Sequence, residues 1–153
     1  MSYQPKVYKE QGGNRLVIAD GGYLKVGSID IPHNVNISAA AGAANISVVT
    51  YQVVDGNNNN VTAPYHLDVF LSDSANGANY TGTGASGAVQ SEGNGIDLAT
   101  LSSKKGLRVQ TTETGLYKLS ITDTAKTHFY PCATHPLTGR VIAGAQMSNA
   151  SYG

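Results

Sequence analysis

Gly82-Thr83-Gly84-Ala85-Ser86-Gly87 has the G-x-G-x-x-G spacing with which backbone amides can wrap a phosphate, and it is the first of several stretches whose residue types could do chemistry. That pattern binds a dinucleotide only where a strand leads into it and a helix leaves it, so that the phosphate meets the amides of a helix N-terminus. The residues on either side carry neither pattern, and the stretch reads as a flexible loop. Ser86 also fails as the nucleophile of a strand-to-helix elbow, because position 88 is Ala where that motif needs Gly. Asp55-Gly56-Asn57-Asn58-Asn59-Asn60 starts like a calcium loop, with oxygen-bearing side chains at alternate positions. Asn60 then stands where the turn glycine belongs and His66 where the bidentate glutamate belongs, so a hairpin loop is expected instead.

His33, His66, His128 and His135 lie in different segments without the close spacing of a zinc motif, and the ten carboxylates are scattered singly. Cys132 is the single cysteine, which excludes an intrachain disulfide and reads as a free buried thiol. The expectation is a protein with no catalytic residues, no metal site, no cofactor and no enzymatic activity.

The elements that would position any site follow from composition and pattern. A chain of 153 residues suits one domain, with room for an extra arm. Charged residues make up 13% of it, with ten Lys+Arg balancing ten Asp+Glu. No strong field draws such a surface onto nucleic acid or anionic membrane, so neither is expected as a partner. The first eleven residues carry charges and Pro5 rather than an apolar signal core, and no window reaches the roughly 20 apolar residues of a membrane span. Synthesis in the cytoplasm is expected.

Eighteen glycines, nine tyrosines and many Asn and Thr favour short strands and turns over helices. Period-two alternation predicts strands over residues 45–55, with Val49, Tyr51 and Val53 on one face, and over 65–73, with Tyr65, Leu67, Val69 and Leu71 inward. Residues 107–111, 115–123 (Tyr117, Leu119 and Ile121 inward), 127–133 and 140–147 continue the pattern. Turns are expected at Glu113-Thr114-Gly115 and Leu137-Thr138-Gly139. The fold class expected is all-β: an antiparallel, jelly-roll-like β-sandwich with a short N-terminal β arm. The divisions are an arm over 1–33, a small-residue linker over 34–44, and a sandwich body over 45–153. A long surface loop over 74–105 carries one short strand near 95–98.

The arm has its own signature. Gly12-Gly13 and Gly21-Gly22 lie nine residues apart, each followed by a short apolar run. The runs are too short for helices, and the spacing reads as a rudimentary coil of a β-solenoid, too small to bury a core alone. It must pack on something else, so Tyr3, Tyr8, Leu16, Val17, Ile18, Tyr23, Leu24 and Val26 are the candidate assembly interface. Tyr80, Tyr130 and Tyr152 join Tyr3, Tyr8 and Tyr23 as tyrosines available to partners, since Tyr51, Tyr65 and Tyr117 fall in phase with the core.

The opening YKEQGGNRLVIADGGYLKV, the strand YHLDVFLSDSANGA and the close LRVQTTETGLYKLSITDTAKTHFYPCATHPLTGRVIAGAQMSNASYG together resemble the small head decoration, or cement, proteins of tailed bacteriophages. The resemblance implies a virion protein, made in the host cytoplasm, that sits as a homotrimer on the outer capsid surface and clamps neighbouring major capsid protein subunits. It implies no catalytic residue. The alternative from the same residues is a phage tail or surface adhesin that binds host polysaccharide through its β-sandwich, with Tyr80 and the 74–105 loop as the contact.

Overall fold

The computed structural model describes residues 7–9, 12, 16–19, 25–26 and 29–153. Its body is a sandwich of two antiparallel sheets. The first holds β5 (Asn34–Ala41), β6 (Ile46–Val54), β11 (Leu116–Thr122) and β8 (Val89–Ser91), in the order β5-β6-β11-β8. The second holds β13 (Val141–Ala143), β12 (Tyr130–Thr134), β7 (His66–Ser72), β10 (Gly106–Gln110) and β9 (Ile96–Ser102), in the order β13-β12-β7-β10-β9.

Pairing is nested: β6 pairs with β11 in one sheet and β7 with β10 in the other. Between the sheets β5 approaches β12 and β8 approaches β9. The chain thus folds back on itself as a doubled ribbon rolled across two sheets, the connectivity that gives a jelly roll its character.

Alternation decides which side chains meet between the sheets. Val49, Tyr51 and Val53 of β6 and Tyr117, Leu119 and Ile121 of β11 are fully buried, facing Leu67, Val69 and Leu71 of β7 and Leu107 and Val109 of β10. Each such aliphatic side chain contributes about 1.5–3 kcal/mol on burial. The Tyr51 and Tyr117 rings meet with centroids 6.2 Å apart. Gly115 turns the chain into β11 with φ +74°; a Cβ there would lie 2.5 Å from Val61 Cγ2, so the core itself requires glycine.

Some expectations for the body change. Residues 34–41 of the expected linker form β5, an eight-residue edge strand with Val35 buried and Ile37 and Ala39 packed on the core. The 74–105 segment holds two strands, β8 and the seven-residue β9, rather than one near 95–98. Tyr152, expected at an interface, is buried in the core, and its hydroxyl donates to the Thr127 carbonyl oxygen at 2.7 Å.

In the arm, β1 (Val7–Lys9) pairs antiparallel with β2 (Leu16–Ile18), and β3 (Lys25–Val26) antiparallel with β4 (Ile29–Asp30). A solenoid coil would stack its repeats in parallel; the described arm strands instead pair antiparallel within two short ribbons. A two-stranded ribbon buries too little apolar surface to be stable alone. Among the described residues no helix is long and apolar enough to cross a membrane.

Candidate functional site

Of the candidate assembly residues, Tyr3, Tyr23 and Leu24 lie outside the described residues, and Leu16 is placed on β2 by its backbone. The others are on the surface: Val26 is 62% exposed, Tyr8 and Ile18 are exposed, Val17 is half-buried, and Ile29 on β4 is exposed as well. The arm meets the body at Asp30. Tyr65 Oη donates to the Asp30 carbonyl oxygen, and Thr62 Oγ1 donates to Asp30 Oδ2 at 3.0 Å. This contact gives Tyr65, expected as a core residue, a half-buried place at the seam between arm and sandwich.

A second apolar surface lies on β9. It is the edge strand of the five-stranded sheet, exposed along nearly its whole length, with Ile96 56% exposed and Leu98 and Leu101 also open. Gly95 starts this strand at φ +86°, where a Cβ would fall 2.7 Å from the Tyr117 ring. Asp97 fastens it: Oδ1 accepts from Tyr117 Oη at 2.6 Å and Oδ2 accepts from the Ser91 amide at 2.9 Å. A long, apolar, unpaired edge is a ready template for another chain.

The outer face of the same sheet is polar. Register sets Phe70 opposite Gly106, Asp68 opposite Arg108 and His66 opposite Gln110. Arg108 grips Asp68 bidentately, Nε to Oδ1 at 2.7 Å and Nη2 to Oδ2 at 2.9 Å. His66 Nε2 donates to Gln110 Oε1 at 3.2 Å. The Tyr80 ring leans on Phe70 with centroids 5.0 Å apart and remains 43% exposed. Its seat depends on Gly106, where a Cβ would lie 2.6 Å from Tyr80 Cε1. Burial, and then the Asp68 carboxylate, push the Tyr80 phenol up, with Arg108 pulling the other way, so it stays a donor at neutral pH.

The Gly82–Gly87 stretch, expected to be a flexible loop, is fastened instead. Asp73 Oδ2 accepts from the Gly82 amide at 2.8 Å, Lys105 Nζ donates to the Gly82 carbonyl at 2.7 Å, and Lys104 Nζ donates to the Ser86 carbonyl at 2.6 Å. The Gly82–Gly87 motif is thus a pinned crossover between the sheets, with no helix following it. The 55–60 stretch is the hairpin loop expected of it: Asp55 Oδ1 accepts the amides of Asn57 and Asn59 at 2.8 and 2.9 Å, and Asn58 takes φ 61°.

The histidines separate into different roles. His66 and His128 are exposed, while buried His135 reaches the backbone of His33. Among the described residues no three of His, Cys, Asp and Glu converge on a point. Cys132 is buried beneath Gly77 and Val141, and burial pushes its thiol up to about 11, which leaves it protonated and unreactive at neutral pH. Comparison with known protein families, with curated proteins and with solved structures returns no match.

Proposed function

We propose that this protein is a non-enzymatic decoration protein of a tailed-phage head, a homotrimer that binds the outer capsid surface and stabilises contacts between major capsid protein subunits. The observation that carries the reading is the arm: two ribbons of two or three residues per strand, with Tyr8, Ile18, Val26 and Ile29 exposed and no core of their own. Such ribbons persist only when another surface covers them, and copies of a partner in a lattice supply that surface. The open apolar edge of β9, in the sandwich body, supports the same reading. A clamp that binds only the mature lattice stabilises it by mass action, with no chemistry required.

Copy number tests the reading against the adhesin alternative. Quantifying the protein against the major capsid protein in purified virions should give a lattice-like stoichiometry, with copies on the order of the capsid subunits' own number. A handful of copies per particle would place it on a tail and overturn the decoration reading. Light scattering of the free protein should return the mass of three chains.

A further inference from the structure

We infer that the outer face of the five-stranded sheet, centred on Asp68, Arg108 and Tyr80, is a binding site for a neutral polysaccharide. The face is preorganised. Its three cross-strand pairs span residues 66 to 70, about 14 Å of strand, enough for a short oligosaccharide to lie along it.

A cleft of about 260 Å³ opens between the Asp68–Arg108 pair and the turn after β12, with Thr134 and His135 in its wall. Arg108 uses two of its five N–H groups on Asp68 and makes no other hydrogen bond among the described residues, which leaves a fixed fork of donors pointing outward. The Asp68 oxygens hold spare acceptor capacity beside it. Gln110 accepts from His66 through Oε1, and its amide nitrogen donates to no described residue.

Donors and acceptors alternating at hydrogen-bond spacing suit vicinal hydroxyls, each of which both gives and takes a proton. Tyr80 adds the apolar component, an aromatic face held by Phe70 for the C–H face of a sugar ring. Charge decides the ligand class. Arg108 and Asp68 neutralise each other, so the site offers no net field to an anionic polymer. An exposed pair of this kind adds little to folding stability, which leaves holding the guanidinium fork in place as its consequence. Gly106 leaves the room that seat needs, since a Cβ there would lie 2.6 Å from Tyr80 Cε1.

The test is affinity electrophoresis of the full chain through gels containing dextran, mannan or galactan, with polyglutamate as the anionic comparison. At least one neutral polysaccharide should retard the protein, and Tyr80→Ala and Arg108→Lys should each weaken that retardation about tenfold, as expected of an aromatic or arginine hot spot. His128→Ala, away from this face, should migrate as the unmodified protein does. Circular dichroism melting checks that the variants fold; Arg108→Lys changes only an exposed side chain and keeps the test decisive if Tyr80→Ala does not fold. Retardation by none of the three neutral polymers, by polyglutamate alone, or undiminished in Arg108→Lys would overturn the proposal. Each of those results leaves the copy-number test of capsid decoration untouched.

Discussion

His135 Nε2 donates to the carbonyl oxygen of His33 at 3.0 Å, joining residues 102 positions apart in the chain. His33 is the last residue before β5, and His135 opens the turn that leads to β13. The other ring nitrogen, Nδ1, accepts from the amides of Leu137 and Thr138 at 3.2 and 3.3 Å. One buried ring therefore locks the entry of the sandwich to its last hairpin, and it does so only in the neutral form.

Protonation at Nδ1 would remove both acceptor bonds. Burial is the main force holding the His135 pKa below its ordinary 6.5, with the Arg140 charge adding to it and the His33 carbonyl opposing. The unfolded chain therefore takes up this proton first as pH falls. His135 stabilises the fold fully above about pH 6.5 and progressively less below it. Melting temperatures measured between pH 8 and pH 5 should fall more steeply for the unmodified protein than for His135→Gln. Parallel curves would contradict the lock.

Asp123 ties two loops together. Its Oδ1 accepts from the Ser86 amide at 3.1 Å and its Oδ2 from the Thr127 amide at 2.7 Å. Burial pushes this carboxyl up, but the Thr127 and Ser86 hydrogen bonds outweigh it and hold the pKa below the ordinary 3.8. Its contribution is present above that value and is lost as pH falls through the lower folded one. Asp123→Ala leaves those amides unpaired and should cost about 2 kcal/mol in urea unfolding at pH 7.

Tyr51 gives a prediction of opposite sign. Its hydroxyl is buried in the core with no hydrogen-bond partner among the described residues. Tyr51→Phe keeps the ring contact with Tyr117 and removes the unsatisfied group, so it should raise stability by about 1 kcal/mol. A loss of stability in the same urea titration would mean the hydroxyl is satisfied.

The arm should be separable from the body. Removing residues 1–28 keeps Asp30 and its contacts with Tyr65 and Thr62. The truncated chain should melt within a few degrees of the full one, because among the described residues the core lies in β5 to β12 and the C-terminal segment. It should scatter light as a single chain rather than three. An unchanged oligomeric mass would move the assembly contact to β9, where Ile96→Lys then tests it.

How much of this was legible in the sequence depends on where each strand sits. β6, β7 and β11 are central, so both neighbours and the opposite sheet demand large apolar residues at every second position. β5 hid because it is an edge strand: Val35, Ile37 and Ala39 do alternate, but Asn34, Asn36, Ser38 and a run of Ala carry the composition of a linker. Pairing with β6 over eight residues overrides that weak propensity. β9 hid for a related reason, its apolar residues facing solvent rather than a core. The polar face was half visible. His66 and Asp68 fall on outward positions of a readable strand, but only the β7–β10 register brings Arg108 to Asp68, and only the pinned 73–88 crossover brings Tyr80 onto Phe70.

The measurement that tests the central claim most directly is the temperature at which purified phage heads release their DNA, taken with the protein present, absent, and added back. Heads lacking it should burst at a lower temperature, and the purified full-length chain should restore the original value while the chain without residues 1–28 should not. Heads that burst at the same temperature in all three conditions would contradict the claim that this protein is a capsid clamp.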